Sequence, residues 1–472
     1  MANEARVGGA DQFATGVPGL DLLTKGGLLS GGLHVLLGGP GAGKSVLAHQ
    51  IGAHLIRSGG RVLYLTVLVE THQMLISQAR TFRFFDPGVV PGSFYYASLY
   101  PALAKGGLQG AREEISRLVA QHGPTLVILD GVHAFKASAA SRLDYQRFMH
   151  EMEAQATVAG ITTLLLAHPV RAIASDPTFT IADAIFELRT RQYGLRSVRL
   201  FRVEKLRGVG HVGGWHTFDI TPDGLDIHPR LEARLERSAR LLSDDLPAPD
   251  GAEPSPGFAI EGLDEMLGGG IPPAAATVVV GTPGSGKTLA GLAFLSAGAE
   301  AGERGLFLGF HEPPPTLVDK GEGVGLPIRR AMEDGLIHIL WRAPAELNAD
   351  AVAEDLLRVL EERQIRRLVI DGMEDLRHSV IPQTRELQFF VALTNLLRER
   401  GITTLILQDL PRIAGLNLDM PMAQLSAMME NALYLHYVEY GGGLRRLITI
   451  LKVRAHMHDH SQREFHITGK GL

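Results

Sequence analysis

Apolar runs recur along the chain: HVLLG, RVLYLTV, TLVILDG and ITTLLLA in the first half, then ATVVVG, RGLFLGF, RLVIDG and ITTLILQ in the second. None alternates strictly between apolar and polar residues, so each predicts a strand covered on both faces. Segments of helical character lie between them, such as Ala111 to Gln121 and Ala351 to Arg363. Continuous apolar strands separated by helices predict an α/β fold in each half, a parallel sheet flanked by helices. Between the halves, LLSDDLPAPDGAEPSPG is dense in Pro, Asp, Ala and Gly and carries no apolar period. The expected organisation is a domain over 1–240, a linker over 241–257 and a domain over 258–472.

The two halves are one unit written twice. Gly19-Leu20-Asp21 returns as Gly262-Leu263-Asp264, GGPGAGKS as GTPGSGKT, LVILDG as LVIDG, and Lys205-Leu206-Arg207 as Lys452-Val453-Arg454. The order is the same and the displacement nearly constant, which indicates duplication of a whole domain and not a solenoid of short repeats.

Composition narrows the setting. Hydrophobic residues make up 45% and charged residues 21% of 472, which excludes disorder and small disulfide scaffolds. Lys plus Arg number 46 against 51 Asp plus Glu, a net charge of −5, so no global cationic field draws the chain to nucleic acid or an anionic membrane. With no cysteine there is no disulfide, thiolate metal site or cysteine nucleophile. The start, MANEARVGGADQF, lacks the pattern of a signal peptide, and no apolar run approaches the roughly 18 residues of a membrane span, so the expectation is a cytoplasmic chain.

Two complete GxxxxGK[ST] motifs carry the chemistry. Each follows an apolar strand and precedes a helix-compatible segment: Gly38-Gly39-Pro40-Gly41-Ala42-Gly43-Lys44-Ser45-Val46, and Gly281-Thr282-Pro283-Gly284-Ser285-Gly286-Lys287-Thr288-Leu289. Such loops wrap backbone amides around phosphates at a helix N-terminus. Lys44 and Lys287 are expected to neutralise phosphate charge, and Ser45 and Thr288 to offer a hydroxyl to Mg²⁺ beside ATP. Asp130 and Asp371 end apolar strands at the carboxyl edge of the sheet, where ligands bind, and are expected to hold the same Mg²⁺; the plainer role is a strand-end turn cap. Glu70 and Glu312 follow the next strands and are candidates to activate water, with ordinary surface glutamates as the rival assignment. Lys205/Arg207 and Lys452/Arg454 alternate with an apolar residue, so both charges of a pair face one way and suit a contact to a neighbouring subunit's phosphate, with a solvated strand face as the rival assignment. The run His456-Met457-His458-Asp459-His460 lacks a second ligand cluster, so it reads better as interface than as metal site.

These motifs, with EKLRGVGHVGGWHTFDITPDGLDI (Glu204 to Ile227) and ILKVRAHMHDHSQREFHITGKG (Ile450 to Gly471), resemble the KaiC family of two-domain RecA-like clock ATPases and autokinases. The resemblance implies two tandem RecA-like P-loop NTPase domains in a double-ring homohexamer, with ATP between subunits. It also implies slow hydrolysis in the first ring and Ser/Thr autophosphorylation in the second. Lys205, Leu206, Arg207 and His211 match the family's trans nucleotide contacts in the first ring, and Arg446, Lys452, Val453 and Arg454 those in the second. The implied partners are the chain itself and a KaiB-like or two-component signalling protein, with neither membrane nor nucleic acid.

The departures bear on mechanism. Where the family carries paired glutamates, this chain has Val69-Glu70 and His311-Glu312, so the usual general base is missing twice. Where the family carries adjacent phosphorylatable residues, it reads Leu425-Ser426-Ala427, leaving Ser426 as the one acceptor. It also ends at Leu472, without the family's long tail, so a complete oscillator is not expected. The expected function is therefore a slowly hydrolysing, ATP-binding signalling hexamer with weak serine autokinase activity. The alternatives are a RecA/RadA-like DNA-dependent ATPase and an ATP-binding scaffold without turnover.

Overall fold

Every apolar run singled out above is a strand in the computed structural model, which describes residues 11–67, 72–169, 176–234, 255–410, 429–454, 457–469 and 471–472. The chain divides into two compact units, Met1–Arg230 and Leu231–Leu472. The sheet of the first has nine strands in the order Gly224–His228, His216–Thr221, Arg196–Leu206, Ala184–Tyr193, Leu33–Gly38, Thr162–Ala167, Leu126–Asp130, Val62–Thr66 and Phe94–Ser98. The eight-stranded sheet of the second repeats that order, as Gln462–Glu464, Gly443–Val453, Asn431–Tyr440, Ala276–Gly281, Thr403–Asp409, Arg367–Asp371, Gly305–Gly309 and Ile337–Trp341. From Ala184–Tyr193 to Phe94–Ser98, and from Asn431–Tyr440 to Ile337–Trp341, neighbouring strands are parallel; the remaining strands add antiparallel edges. Both units are thus tandem α/β domains of the RecA-like P-loop type.

The central strands Leu33–Gly38 and Ala276–Gly281 are buried along their whole length. Alternate residues serve opposite faces. In the first unit Leu36, Tyr64, Ile128 and Leu164 pack with Leu47 and Ile51 of the helix Lys44–Arg57. On the other face Val35, Leu37, Leu63 and Val127 pack with Ile115 and Met149 of the helices Tyr100–His122 and Arg142–Ala159. The second unit divides the same way, with Val279, Phe307 and Val369 toward Leu292 of the helix Lys287–Glu300, and Val278, Leu306 and Leu368 toward Leu356 and Leu393. The expected helices at Ala111 to Gln121 and Ala351 to Arg363 lie inside Tyr100–His122 and Ala349–Arg363. Among the described residues no helix is long and apolar enough to cross a membrane.

Most of the expected linker lies outside the described residues, which stop at Arg234 and resume at Ser255. Leu231–Arg234, which the sequence assigns to the first domain, packs with the second unit. The Leu231 amide donates to Asp350 Oδ1 (3.1 Å). The Arg385 guanidinium donates to both carboxylate oxygens of Glu232 (2.9 and 2.6 Å) and both of Asp350 (2.9 Å each). Asp350 is 3% exposed, so deleting the cation leaves a carboxylate with little water to turn to. Arg385→Ala should destabilise the second unit by about 3–5 kcal/mol in denaturant unfolding. An unchanged midpoint would show that the clamp is not energetically coupled to the fold.

Candidate active site

The loops that follow the central strands are shaped by close approach. A Cβ at Gly281 would stand 2.5 Å from the Leu435 carbonyl oxygen of the neighbouring strand. Gly43 and Gly286, at φ 102° and 106°, hold the left-handed turn that starts each helix at its lysine. The N-cap residues are Gly43 and Gly286, which have no side chain to cap with, so the first-turn amides suit an anion. Lys44 Nζ donates to the Gly38 and Gly39 carbonyls at 2.7 and 3.0 Å. Lys287 Nζ donates to the Gly281 and Thr282 carbonyls at 3.0 and 2.9 Å and lies 2.7 Å from Asp409 Oδ1. The Thr282 and Ser285 hydroxyl oxygens are buried without a partner, which fits a loop built to receive further polar atoms.

Asp130 and Asp371 stand at the carboxyl ends of their strands, but with different companions. In the first unit the Tyr64 hydroxyl donates to Asp130 Oδ2 (2.7 Å). In the second, the Thr288 hydroxyl donates directly to Asp371 Oδ2 (2.9 Å). Burial pushes the Asp130 carboxyl above the ordinary aspartate range, and the Tyr64 hydroxyl and Lys44 ammonium only partly oppose it. Burial raises Asp371 too, opposed by the Thr288 hydroxyl and reinforced by the charges of Glu312 and Asp409. Half-buried hydroxyl and carboxylate oxygens gathered at one strand end suit a divalent cation. Ser45 with Asp130, and Thr288 with Asp371, are the residues that would hold Mg²⁺.

In the second unit His311, Glu312, Thr288, Asp371, Asp409 and Arg446 line one cavity of about 660 Å³ together with the P-loop. His311 Nε2 lies 2.7 Å from Asp375 Oδ2, an ion-pair distance without hydrogen-bond alignment. Glu312 spends one carboxylate oxygen on Lys320, while Oε2 is buried without a partner. Glu70 and Val69 of the first unit, and Ser426 of the second, lie outside the described residues, as does His456.

The Lys-x-Arg pairs sit elsewhere. Leu206 pairs with Ala184, which pairs with His34, so Lys205 and Arg207 lie at the amino edge of the sheet, whereas the P-loop leaves Gly38 at the carboxyl edge. Four residues of strand separate these levels, roughly 13 Å. Lys205 Nζ and Arg207 Nη2 both donate to the Thr180 carbonyl (3.1 and 3.0 Å), so the two cations do share a side. Burial, then the adjacent Arg207 charge, lowers the Lys205 ammonium; burial and Arg454 do the same to Lys452. Lys452 pairs with Ala432, near the amino end of its strand, and donates to the Met429 carbonyl (2.9 Å). Val453 is buried beside it, and His211 is half-buried in the loop after Arg207. Arg446 does not join Lys452 and Arg454. It pairs with Tyr437 on the carboxyl side, stacks on that ring at 5.4 Å and lines the cavity of its own P-loop.

Sequence reasoning missed Tyr64, Asp375 and Asp409. Asp409 carried a readable signal, because it ends an apolar strand exactly as Asp130 and Asp371 do. Tyr64 carried none, being one aromatic among core residues.

A family model described as "ATPase: KaiC" matches residues 13–232 and 258–472. The chain is similar to "Circadian clock protein KaiC3" of Synechocystis sp., 25% identical over 98% of this chain and 92% of that protein. It is similar to "Circadian clock oscillator protein KaiC" of Picosynechococcus sp., 26% identical over 100% and 90% of the two chains, and to its namesake of Thermosynechococcus vestitus, 24% identical over 98% and 88%.

The raised carboxyls have a consequence for stability. An acid whose folded pKa is raised favours the folded state fully only below the unfolded value, and that contribution is lost as pH rises through the folded value. Without metal, Asp130→Asn and Asp371→Asn should therefore each melt above the wild type at pH 7. The gap should close as pH falls below the ordinary aspartate value of about 4. Thermal unfolding in EDTA across pH checks this; a gap that does not close would assign the effect to another cause.

Proposed function

The chain belongs to the KaiC family of ATPases, and on that premise we propose that it is a homohexameric signalling ATPase that holds Mg-ATP in both units and hydrolyses it slowly. The observation that carries the proposal is the placement of Lys205 and Arg207 at the edge of the sheet opposite their own P-loop. Cations so placed are out of reach of phosphates on the same unit and suited to those of a neighbour, with ATP between subunits. Lys452 and Arg454 are given the same part in the second unit, while Arg446 is given a part on its own P-loop's side.

Ser45, Asp130, Thr288 and Asp371 are the proposed metal ligands, and bound Mg²⁺ would neutralise charge on the terminal phosphates. Slow turnover follows from the base. Val69 cannot accept a proton, which leaves Glu70 in the first unit. In the second, His311 beside Asp375, or Glu312 through its unpartnered oxygen, can take a proton from water. Autokinase activity is assigned to Ser426, with Ala427 unable to accept phosphate. A KaiB-like or two-component signalling protein is the partner class that would read the nucleotide state. The net charge of −5 weighs against DNA as the effector.

Native mass spectrometry should show six-fold assemblies with ATP and their loss without it; a monomer at saturating ATP would sink the proposal. Arg207→Ala should keep nucleotide in the first unit while slowing its turnover by about 10³-fold, the low end of what a trans arginine supplies. Unstimulated turnover with single-stranded DNA is expected, and salt-sensitive stimulation would favour the DNA-dependent alternative. Radiolabel from γ-labelled ATP should enter the wild type and not Ser426→Ala; equal incorporation refutes the site.

A further inference from the structure

The duplicated units differ at the position that meets the P-loop lysine. Strands Thr162–Ala167 and Thr403–Asp409 both lie directly beside their central strands, and ITTLLLAH against ITTLILQD sets His168 opposite Asp409. In the second unit Lys287 Nζ meets Asp409 Oδ1 at 2.7 Å and the Gly281 and Thr282 carbonyls at 3.0 and 2.9 Å. Two of the ammonium's three N–H donors are thus spent on carbonyls, and its charge faces the Asp409 carboxylate at ion-pair distance. In the first unit Lys44 holds two carbonyls and, among the described residues, has no carboxylate at ion-pair distance. His168 lies near it instead, its ring lowered by burial and then by the Lys44 charge.

We propose that Asp409 is a specificity-determining residue, a carboxylate that competes with the terminal phosphates for Lys287 and thereby lowers the preference of the second unit for ATP over ADP. The proposal rests on the assignment of the P-loops as nucleotide sites. Phosphate and carboxylate claim the same ammonium, and the triphosphate, with more negative charge at that end, loses more from a fixed anion beside it than the diphosphate does. Mobility is distributed to suit the exchange. The Lys287 side chain is 9% exposed and pinned to its loop, whereas that of Asp409 is 65% exposed and can turn into water when phosphate arrives. The field of Asp409 also reaches Asp371, which it helps to raise, so the carboxylate belongs to the polar cluster at the lysine and is not a remote surface charge. The first unit has an imidazole at this position and, among the described residues, no carboxylate at ion-pair distance from Lys44.

The test uses the full chain carrying Lys44→Ala, so that the second unit alone binds, and titrates fluorescent ATP and ADP analogues at fixed Mg²⁺. Asp409→Asn, which keeps shape and removes charge, should tighten ATP by about tenfold and ADP by less than about threefold. The reciprocal change, His168→Asp in a Lys287→Ala chain, should weaken ATP at the first unit more than ADP. An unchanged ATP-to-ADP ratio in Asp409→Asn, or weaker ATP binding, overturns the role of Asp409. If Lys44→Ala/Lys287→Ala still binds both analogues, the P-loop assignment itself fails, and the proposal with it. Nucleotide lost with Lys287→Ala yet indifferent to Asp409→Asn leaves that assignment standing and removes only the competitor.

Discussion

A strand that is hydrogen-bonded along both edges and buried on both faces has only its two ends left for chemistry. Leu33–Gly38 and Ala276–Gly281 are such strands, and the placement of every candidate residue follows from them. At the carboxyl end, where the chain must turn and helix amides point outward, stand the P-loops, Asp130, Asp371, His168 and Asp409. Toward the amino end of the same sheets stand Lys205, Arg207 and Lys452. Anion acceptors and outlying cations are thus separated by the length of a strand. On the proposed reading, groups so separated would let copies associate head to tail, and head-to-tail contacts close into rings when the rotation permits.

The two units show how far polar groups can diverge on an unchanged frame. Strand order, P-loop geometry and the two-sided core are shared, yet the strand-end carboxylate is held by a tyrosine hydroxyl in one unit and by the P-loop threonine in the other. Around Tyr64 the first unit carries a buried polar chain, and in the second Phe307 takes the corresponding place. Burial pushes His49 down to about 4, so its ring is neutral under ordinary conditions: Nδ1 donates to the Ser45 carbonyl (2.6 Å), and Nε2 accepts from the Tyr96 hydroxyl (3.1 Å). Apolar packing fixes the frame through area, which tolerates exchange; polar pairs act over a few ångströms, so single substitutions at strand ends rewrite the site.

Much of this was legible before the structure. Apolar runs without alternation could only be two-faced strands, and the P-loops and strand-end aspartates are defined by neighbours in the chain. What could not be read was contact between distant strands. Tyr64 meets Asp130 because Val62–Thr66 pairs with Leu126–Asp130 in parallel, with Thr66 opposite Asp130. Arg446 parts company with Lys452 because the strand Gly443–Val453 runs the length of the sheet, carrying its two ends to opposite edges. The edge strands Phe94–Ser98 and Ile337–Trp341 were not singled out although FYYAS and IHILW are largely apolar; only the pairing on one side shows them as sheet edges. Glu70 and Ser426 lie outside the described residues and stay as the sequence left them.

The Arg385 clamp also defines where these modules begin. Glu232 is covalently the continuation of the first unit, yet its carboxylate completes a guanidinium site with Asp350 inside the second. Recombination that exchanged units between relatives at the apparent linker would strand that carboxylate on the wrong partner and leave Arg385 half-neutralised. The interchangeable segment therefore starts at Leu231, before the low-complexity stretch and not within it. A boundary drawn by composition marks where chain is dispensable, whereas a boundary drawn by buried charge marks what must be inherited together.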